Sequence, residues 1–152
     1  TLEEKNILSA GEAETVSCRQ IADFCRSETG KRACRAGWVR REWPFTLRKN
    51  REELASMAVN SQAADEVRRS LPQEVLIQGI IDCCFEDETG IVVVDYKTDY
   101  VEPGGGSASF ERIRRRYERQ VELYRDVIRR AFDTEKIQAK LYLFRASAVI
   151  DV

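Results

Sequence analysis

Two aspartates and a lysine stand out as a set of side chains able to do chemistry together. Asp82 closes the run Gln78-Gly79-Ile80-Ile81-Asp82, and Asp95 and Lys97 flank Tyr96 in Val94-Asp95-Tyr96-Lys97-Thr98. Glu74–Phe85 and Ile91–Thr98 are rich in strand-forming residues, and the link Glu86-Asp87-Glu88-Thr89-Gly90 ends in a turn glycine. A hairpin is predicted. With Glu86 opposite Ile91, Asp82 falls opposite Asp95, their Cβ atoms roughly 5 Å apart. Alternation puts Lys97 on the face of Asp95 and Tyr96 on the other. Two carboxylates facing each other beside Ile80, Ile81 and Val92–Val94 repel, which raises the pKa of one of them. A divalent cation relieves the repulsion: Mg²⁺, or Mn²⁺, takes hard oxygen ligands, and the Tyr96 carbonyl is a further donor. Lys97 then orients or activates a water, or neutralises charge developing on a phosphorane. A plain Lys97–Asp salt bridge in a hairpin accounts for the same residues without chemistry. On residue types alone both readings stand.

The surrounding pattern supplies elements to hold such a pair. Ser9 caps a predicted helix with Glu12 in its first turn and Ala13, Val16, Gln20, Ile21 and Phe24 at helical spacing, ending near Ser27–Gly30. A short helix is predicted over Gly30–Ala36, then a strand over Trp38–Leu47 in which Pro44 requires an edge or a bulge. Asn50–Ser70 reads as a loop followed by a short helix. Val101–Ser109, with Gly104-Gly105-Gly106, reads as a connector, because no Lys-Ser/Thr follows to make a phosphate loop. Phe110, Ile113, Tyr117, Val121, Tyr124 and Ile128 form one helical stripe. Lys140–Phe144 and Ala148–Val152 read as two last strands around Arg145–Ser147. Helix, strand, hairpin, helix and two strands predict an α/β (α+β) fold with a mixed central sheet flanked by helices.

Composition narrows the classes. The chain has 152 residues, 43% of them hydrophobic, and a net charge of −1. That suits one domain with a real core and argues against disorder. No apolar run approaches the ~20 residues a membrane span needs. Five Cys without paired spacing do not make a secreted disulfide scaffold, and Cys18, Cys25 and Cys34 lack metal-site spacing. Adjacent Cys83 and Cys84 point to opposite faces, and all five are expected to be reduced cytosolic thiols. The absence of His excludes His-based triads within these residues. Charge is uneven: Ser107–Phe132 holds eight Arg against four acids. That is either a solvated face laced with Glu–Arg pairs or a phosphate-binding one.

Asp82, twelve residues, then Asp95-Tyr96-Lys97 resembles the core of the PD-(D/E)xK nucleases. Gly79 through Asp82, followed by Asp95-Tyr96-Lys97-Thr98, is similar to the RecB-type branch. Gln120-Val121-Glu122-Leu123-Tyr124 resembles that branch's QxxxY element, with Gln120 and Tyr124 on one helical face. Arg41-Glu42-Trp43-Pro44-Phe45, and Ile21–Phe24 with Ser27, Glu28, Lys31 and Arg32, resemble the nuclease domain of the larger, AddA-type chain of AddAB-type helicase–nucleases. The resemblance covers nearly the whole chain.

It implies a restriction-endonuclease-like fold, with residues 1–152 as a single nuclease domain at the C-terminus of a larger polypeptide that carries an ATP-driven motor. The implied function is metal-dependent, exonucleolytic cleavage of DNA in bacterial double-strand-break repair and recombination. The implied partners are DNA, the helicase part of the same polypeptide and a second, AddB-like subunit; the implied location is the cytoplasm. No nucleotide is expected to bind to this domain. By the same resemblance Asp82, Asp95 and the Tyr96 carbonyl hold the metal, Lys97 is the catalytic lysine, and Gln120 and Tyr124 line the site. The family adds a His ligand from a helix upstream of this core; its absence is expected to reflect a missing upstream segment. A degenerate domain kept for DNA binding or structure is the alternative. Glu42 reads as a strand acid paired with Arg40 or Arg41, or as an addition to the metal site. Trp38, Trp43 and Phe45 read as core, or as platforms for unpaired bases. Asp99 reads as a strand terminator.

Overall fold

Ser17 and Ser27 organise the first helices of the structure, a computed structural model that describes Lys5, Ser9, Gly11 and residues 15–102 and 106–152. Ser17, with extended backbone, caps α1 (Cys18–Arg26); Ser27 accepts from the Gly30 N–H at 3.1 Å and opens α2 (Glu28–Arg35). The helix predicted to run through Val16 is therefore interrupted at Ser17. Its predicted first turn after Ser9, with Glu12 and Ala13, lies outside the described residues, as do Gly104 and Gly105. Strand β1 (Trp38–Asn50) follows. Asn50 and Glu53 then form a reciprocal capping box that starts α3 (Arg51–Ser56), and Asn60 caps α4 (Ser61–Ser70). These two caps turn the predicted loop and helix into two helices. The hairpin is β2 (Glu74–Asp87) and β3 (Gly90–Lys97). Helix α5 (Gly106–Phe132) takes in Ser107–Ser109, expected in the connector, and β4 (Ile137–Leu143) and β5 (Ala148–Asp151) complete the chain.

The strands form one sheet in the order β1-β2-β3-β4-β5. Only β3 and β4 are parallel, joined across the sheet by α5. Helix α5 covers one face over Ile81, Cys84, Val93 and Leu141; α1 and α2 cover the other over Cys83, Phe85, Val92, Val94 and Tyr142. This is the predicted mixed sheet between helical layers, with Pro44 on the edge strand.

The hairpin keeps the predicted register, Glu86 opposite Ile91 through Cys83 opposite Val94. Gly90 turns at φ +113, where an added Cβ would sit 2.3 Å from the Lys136 carbonyl oxygen. Beyond Cys83–Val94 the strands part: β2 stays paired to β1, while Asp95, Tyr96 and Lys97 pair only with β4. Asp82 thus stands at a fork rather than inside a ladder. On its other side the β1–β2 pairing skips the Glu42–Asp82 position, and Glu42 has φ +49. Both strands change facing there. Ile81 and Cys84, three apart, share the α5 side, and so do Arg40 and Trp43. As a result Ile81 is buried, whereas Ile80, expected in the buried centre, is 53% exposed.

The hairpin tip is clamped to α2. Arg32 donates through Nε to Asp87 at 2.7 Å and through its terminal nitrogens to Thr89 at 2.8 Å and Gln138 at 3.2 Å. The bond from Arg32 holds the Asp87 carboxyl down at about 2, from an ordinary 3.8. Stability from this pair is complete above the ordinary value and lost as pH falls through about 2. Allowing for solvent at the rim, it amounts to about 1–2 kcal/mol. Arg32→Met is expected to cost that amount at neutral pH and nothing at the acid end. Urea melts across this range check it; an equal loss at both ends would show that packing, not charge, is responsible.

Candidate active site

Asp95, Lys97, Gln120 and Tyr124 meet on the α5 face, and Asp82 lies beside Asp95 at the fork. Asp95 is 2% exposed. Its Oδ2 lies 2.6 Å from Lys97 Nζ, yet no aligned hydrogen bond reaches that buried oxygen. Burial pushes the Asp95 carboxyl above the usual range; Lys97 opposes the shift and nearby Asp82 adds to it. The direction is that expected from two facing carboxylates, but desolvation is its larger cause. Asp82 accepts the Tyr96 N–H at 2.8 Å and so occupies the backbone gap where the strands part. The Tyr96 ring is on the opposite face, edge-on to Phe24 at 5.1 Å.

Helix α5 supplies the other half. Lys97 Nζ donates to Gln120 Oε1 at 3.0 Å, Gln120 Nε2 donates to the Tyr124 hydroxyl at 2.6 Å, and that hydroxyl donates to the Ile80 carbonyl at 3.1 Å. One turn of helix separates Gln120 from Tyr124, so both reach the sheet from one face. Burial, with help from the Asp95 charge, pushes the Tyr124 hydroxyl up to about 12, which keeps it a neutral donor. The chain of contacts runs from Asp95 back to the strand that carries Asp82.

Sequence reasoning missed two members of this cluster. The Tyr117 ring lies 4.0 Å below Lys97 Nζ, and its hydroxyl donates to Asp99 at 2.8 Å. Asp99 also receives Arg116 at 3.1 Å, so it anchors α5 instead of merely ending the strand. Tyr117 stands three residues before Gln120, a spacing that marks the same face, but it reads as core. Glu42 is exposed, and among the described residues no ion pair joins it to Arg40 or Arg41. The reason is its left-handed backbone, while Arg40 lies over the Trp43 ring at 4.8 Å. Trp38 stacks on Phe132 at 5.2 Å, Trp43 meets the same ring edge-on, and Phe45 meets Tyr124 edge-on at 5.9 Å. All three aromatics pack against α5. The five cysteines are free, with Cys83 and Cys84 on opposite faces.

The residues that the resemblance implies for the site, Asp82, Asp95 and Lys97, thus lie together, at a fork rather than as the cross-strand pair expected. Residues 5–150 match the PD-(D/E)XK nuclease superfamily. The chain belongs to that superfamily. It is 32% identical over 98% of its length to the AddA-type ATP-dependent helicase/nuclease protein of Clostridium botulinum (strain Kyoto / Type A2). It is 34% identical over its whole length to the protein of the same name from Clostridium novyi (strain NT). In each case it spans 11% of the relative. The chain is thus a PD-(D/E)XK nuclease domain homologous to part of those proteins, with the mixed α/β architecture of the superfamily. Nucleases of this superfamily generally use divalent metal ions. Among the described residues no third His, Cys, Asp or Glu joins Asp82 and Asp95, and no helix is long and apolar enough to cross a membrane.

Gly79 pairs with Phe45 across β1 and β2, and an added Cβ would meet that ring at 2.6 Å. Since the same ring rests against Tyr124, Gly79→Ala is expected to cost about 1–3 kcal/mol in urea denaturation. Phe45→Leu in the same chain should recover part of the loss. No recovery would mean that the glycine is needed for its backbone and not for the ring.

Proposed function

We propose that this domain hydrolyses DNA phosphodiester bonds in a metal-dependent, exonucleolytic reaction. In this reading residues 1–152 are one domain of a larger, cytoplasmic helicase–nuclease of bacterial break repair. Its partners are DNA, the ATP-driven motor of the same polypeptide and a second, AddB-like subunit. One observation carries the reading: two carboxylates, Asp82 and the buried Asp95, meet at a strand fork with Lys97 Nζ 2.6 Å from Asp95 Oδ2. Lys97 offsets one of the two negative charges, and a further cation between the carboxylates would relieve the repulsion and desolvation that remain. The donors are all oxygen, which fits Mg²⁺, with Mn²⁺ as a substitute. Asp82, Asp95 and the Tyr96 carbonyl would hold it; once bound, it polarises the phosphodiester and acidifies water.

Lys97, within reach of Asp95, places a positive charge where the phosphate gains negative charge. Gln120 and Tyr124 hold that ammonium by hydrogen bonds tied to the Ile80 carbonyl. Two carboxylates and a carbonyl leave room for the upstream His expected from the family. The degenerate alternative is disfavoured by the complete Asp82, Asp95 and Lys97 set.

In the intact parent protein, Asp95→Ala or Lys97→Ala is expected to lower cleavage by ~10²–10³ or more while ATP-driven unwinding continues. Near-normal cutting by either variant would remove that residue from the reaction. Calorimetric titration of this chain with Mg²⁺ is expected to show weak binding. Micromolar affinity would show that these three ligands suffice and would drop the upstream His from the reading.

A further inference from the structure

The arginines of α5 divide into two groups. Arg114 and Arg115 pair with Glu111; Arg125 and Arg129 pair with Glu122, and Arg130 with Glu53. Those are the solvated Glu–Arg pairs read from the sequence. Arg112 and Arg119 are exposed and make no ion pair or hydrogen bond among the described residues. Arg116 is bound to Asp99 alone, with its side chain 68% exposed. At about 100° per residue, Arg112, Arg116 and Arg119 occupy an arc of roughly 60°, and Gln120 stands at its edge. Arg112 and Arg119, with Arg116 on its exposed bridge to Asp99, thus form one stripe bordering the Lys97–Gln120 contact.

A cavity of about 330 Å³ opens beside this stripe, lined by Asp99, Tyr100, Arg112, Ile113 and Arg116. Tyr100 is 60% exposed, three residues beyond Lys97. Tyr117 links the cavity wall to Lys97, its hydroxyl on Asp99 and its ring against the ammonium. We propose that Tyr100, Arg112, Arg116 and Arg119 form a subsite for single-stranded DNA. The guanidinium groups hold successive phosphates, and Tyr100 stacks on a base. Guanidinium suits phosphate through paired donors, and the exposed Arg116–Asp99 bridge is weak enough to share its cation. An exposed ring at this position suits an unpaired base, because bases inside a duplex are already stacked on their neighbours. The proposal rests on the nuclease reading and adds which residues of this chain hold the strand and the path it takes along α5.

The test is fluorescence anisotropy of a labelled oligothymidylate and of a blunt duplex against the full chain in EDTA, over a range of salt. Binding without metal reads the subsite apart from cleavage. Arg112→Ala with Arg119→Ala is expected to weaken single-strand binding about tenfold or more and to flatten the log–log salt slope by about 1.4. Arg114→Ala with Arg115→Ala, which removes the same charge from the acid-paired group, should change neither by as much. Tyr100→Ala should weaken the oligothymidylate about tenfold, Tyr100→Trp should restore it, and the duplex should be indifferent to both. Equal losses from the two arginine pairs, or a Tyr100→Ala effect shared by the duplex, would overturn the subsite. Circular dichroism of each variant excludes misfolding. If these variants bind as the unaltered chain does while Asp95→Ala still stops cleavage in the parent, the subsite falls and the nuclease reading stands. No binding of either DNA by the unaltered chain would remove both.

Discussion

Where β2 and β3 part, a sheet loses hydrogen bonds that a buried backbone ordinarily requires. Asp82 makes good part of that loss by accepting the Tyr96 N–H, which fixes its carboxylate at the fork. Asp95 is carried inward on the strand that stays with β4, into surroundings where a negative charge is poorly solvated. The two acids therefore meet because the strands separate, not because they form a cross-strand pair. A continuous ladder would hold them at a set spacing with no room between them. The fork makes a cleft of two anionic groups with a cation, Lys97, on its lip.

Helix α5 keeps the fork open and faces it. It joins the parallel strands β3 and β4, so its position is set by the core that its Ile128 and Val121 share with Val93 and Leu141. From that position Gln120, Tyr117 and Tyr124 reach Lys97 and the Ile80 carbonyl. The buried Lys49–Asp126 pair ties the far end of the helix to the edge strand. Gly79, Phe45 and Tyr124 form a second line of support: without a side chain at 79 the Phe45 ring lies flat on β2 and meets Tyr124 edge-on. The polar contacts at the site are thus held by apolar packing a few residues away, where excluded water makes each of them stronger.

Much of this was legible from residue order. Strand-forming runs around a Gly-terminated turn determined the hairpin and its register. The stripe from Phe110 to Ile128 determined α5 and put Gln120 beside Tyr124, because 3.6 residues per turn leaves little choice. Asp95 and Lys97 were visible on one face for the same reason of periodicity, whereas Asp82 was expected as a cross-strand partner of Asp95 and stands instead at the fork. The segment after β1 was legible only in part: one short helix was expected, and Asn50 with Glu53, read as loop, start another.

Tertiary structure alone decided the rest. Strict alternation assigns Ile80 to the core and Glu42 to an ordinary strand; the matched change of facing at 42 and 82 exposes Ile80 and bends Glu42 to positive φ. That change depends on both strands yielding together under α5, which no pattern local to either one records. Asp99 and Tyr117 joined the site through contacts between a strand end and a helix eighteen residues away. The depth at which Asp95 is buried was also beyond the sequence. A spacing specifies which side chains share a face, but desolvation depends on everything packed above that face, and only the folded chain brings those atoms together.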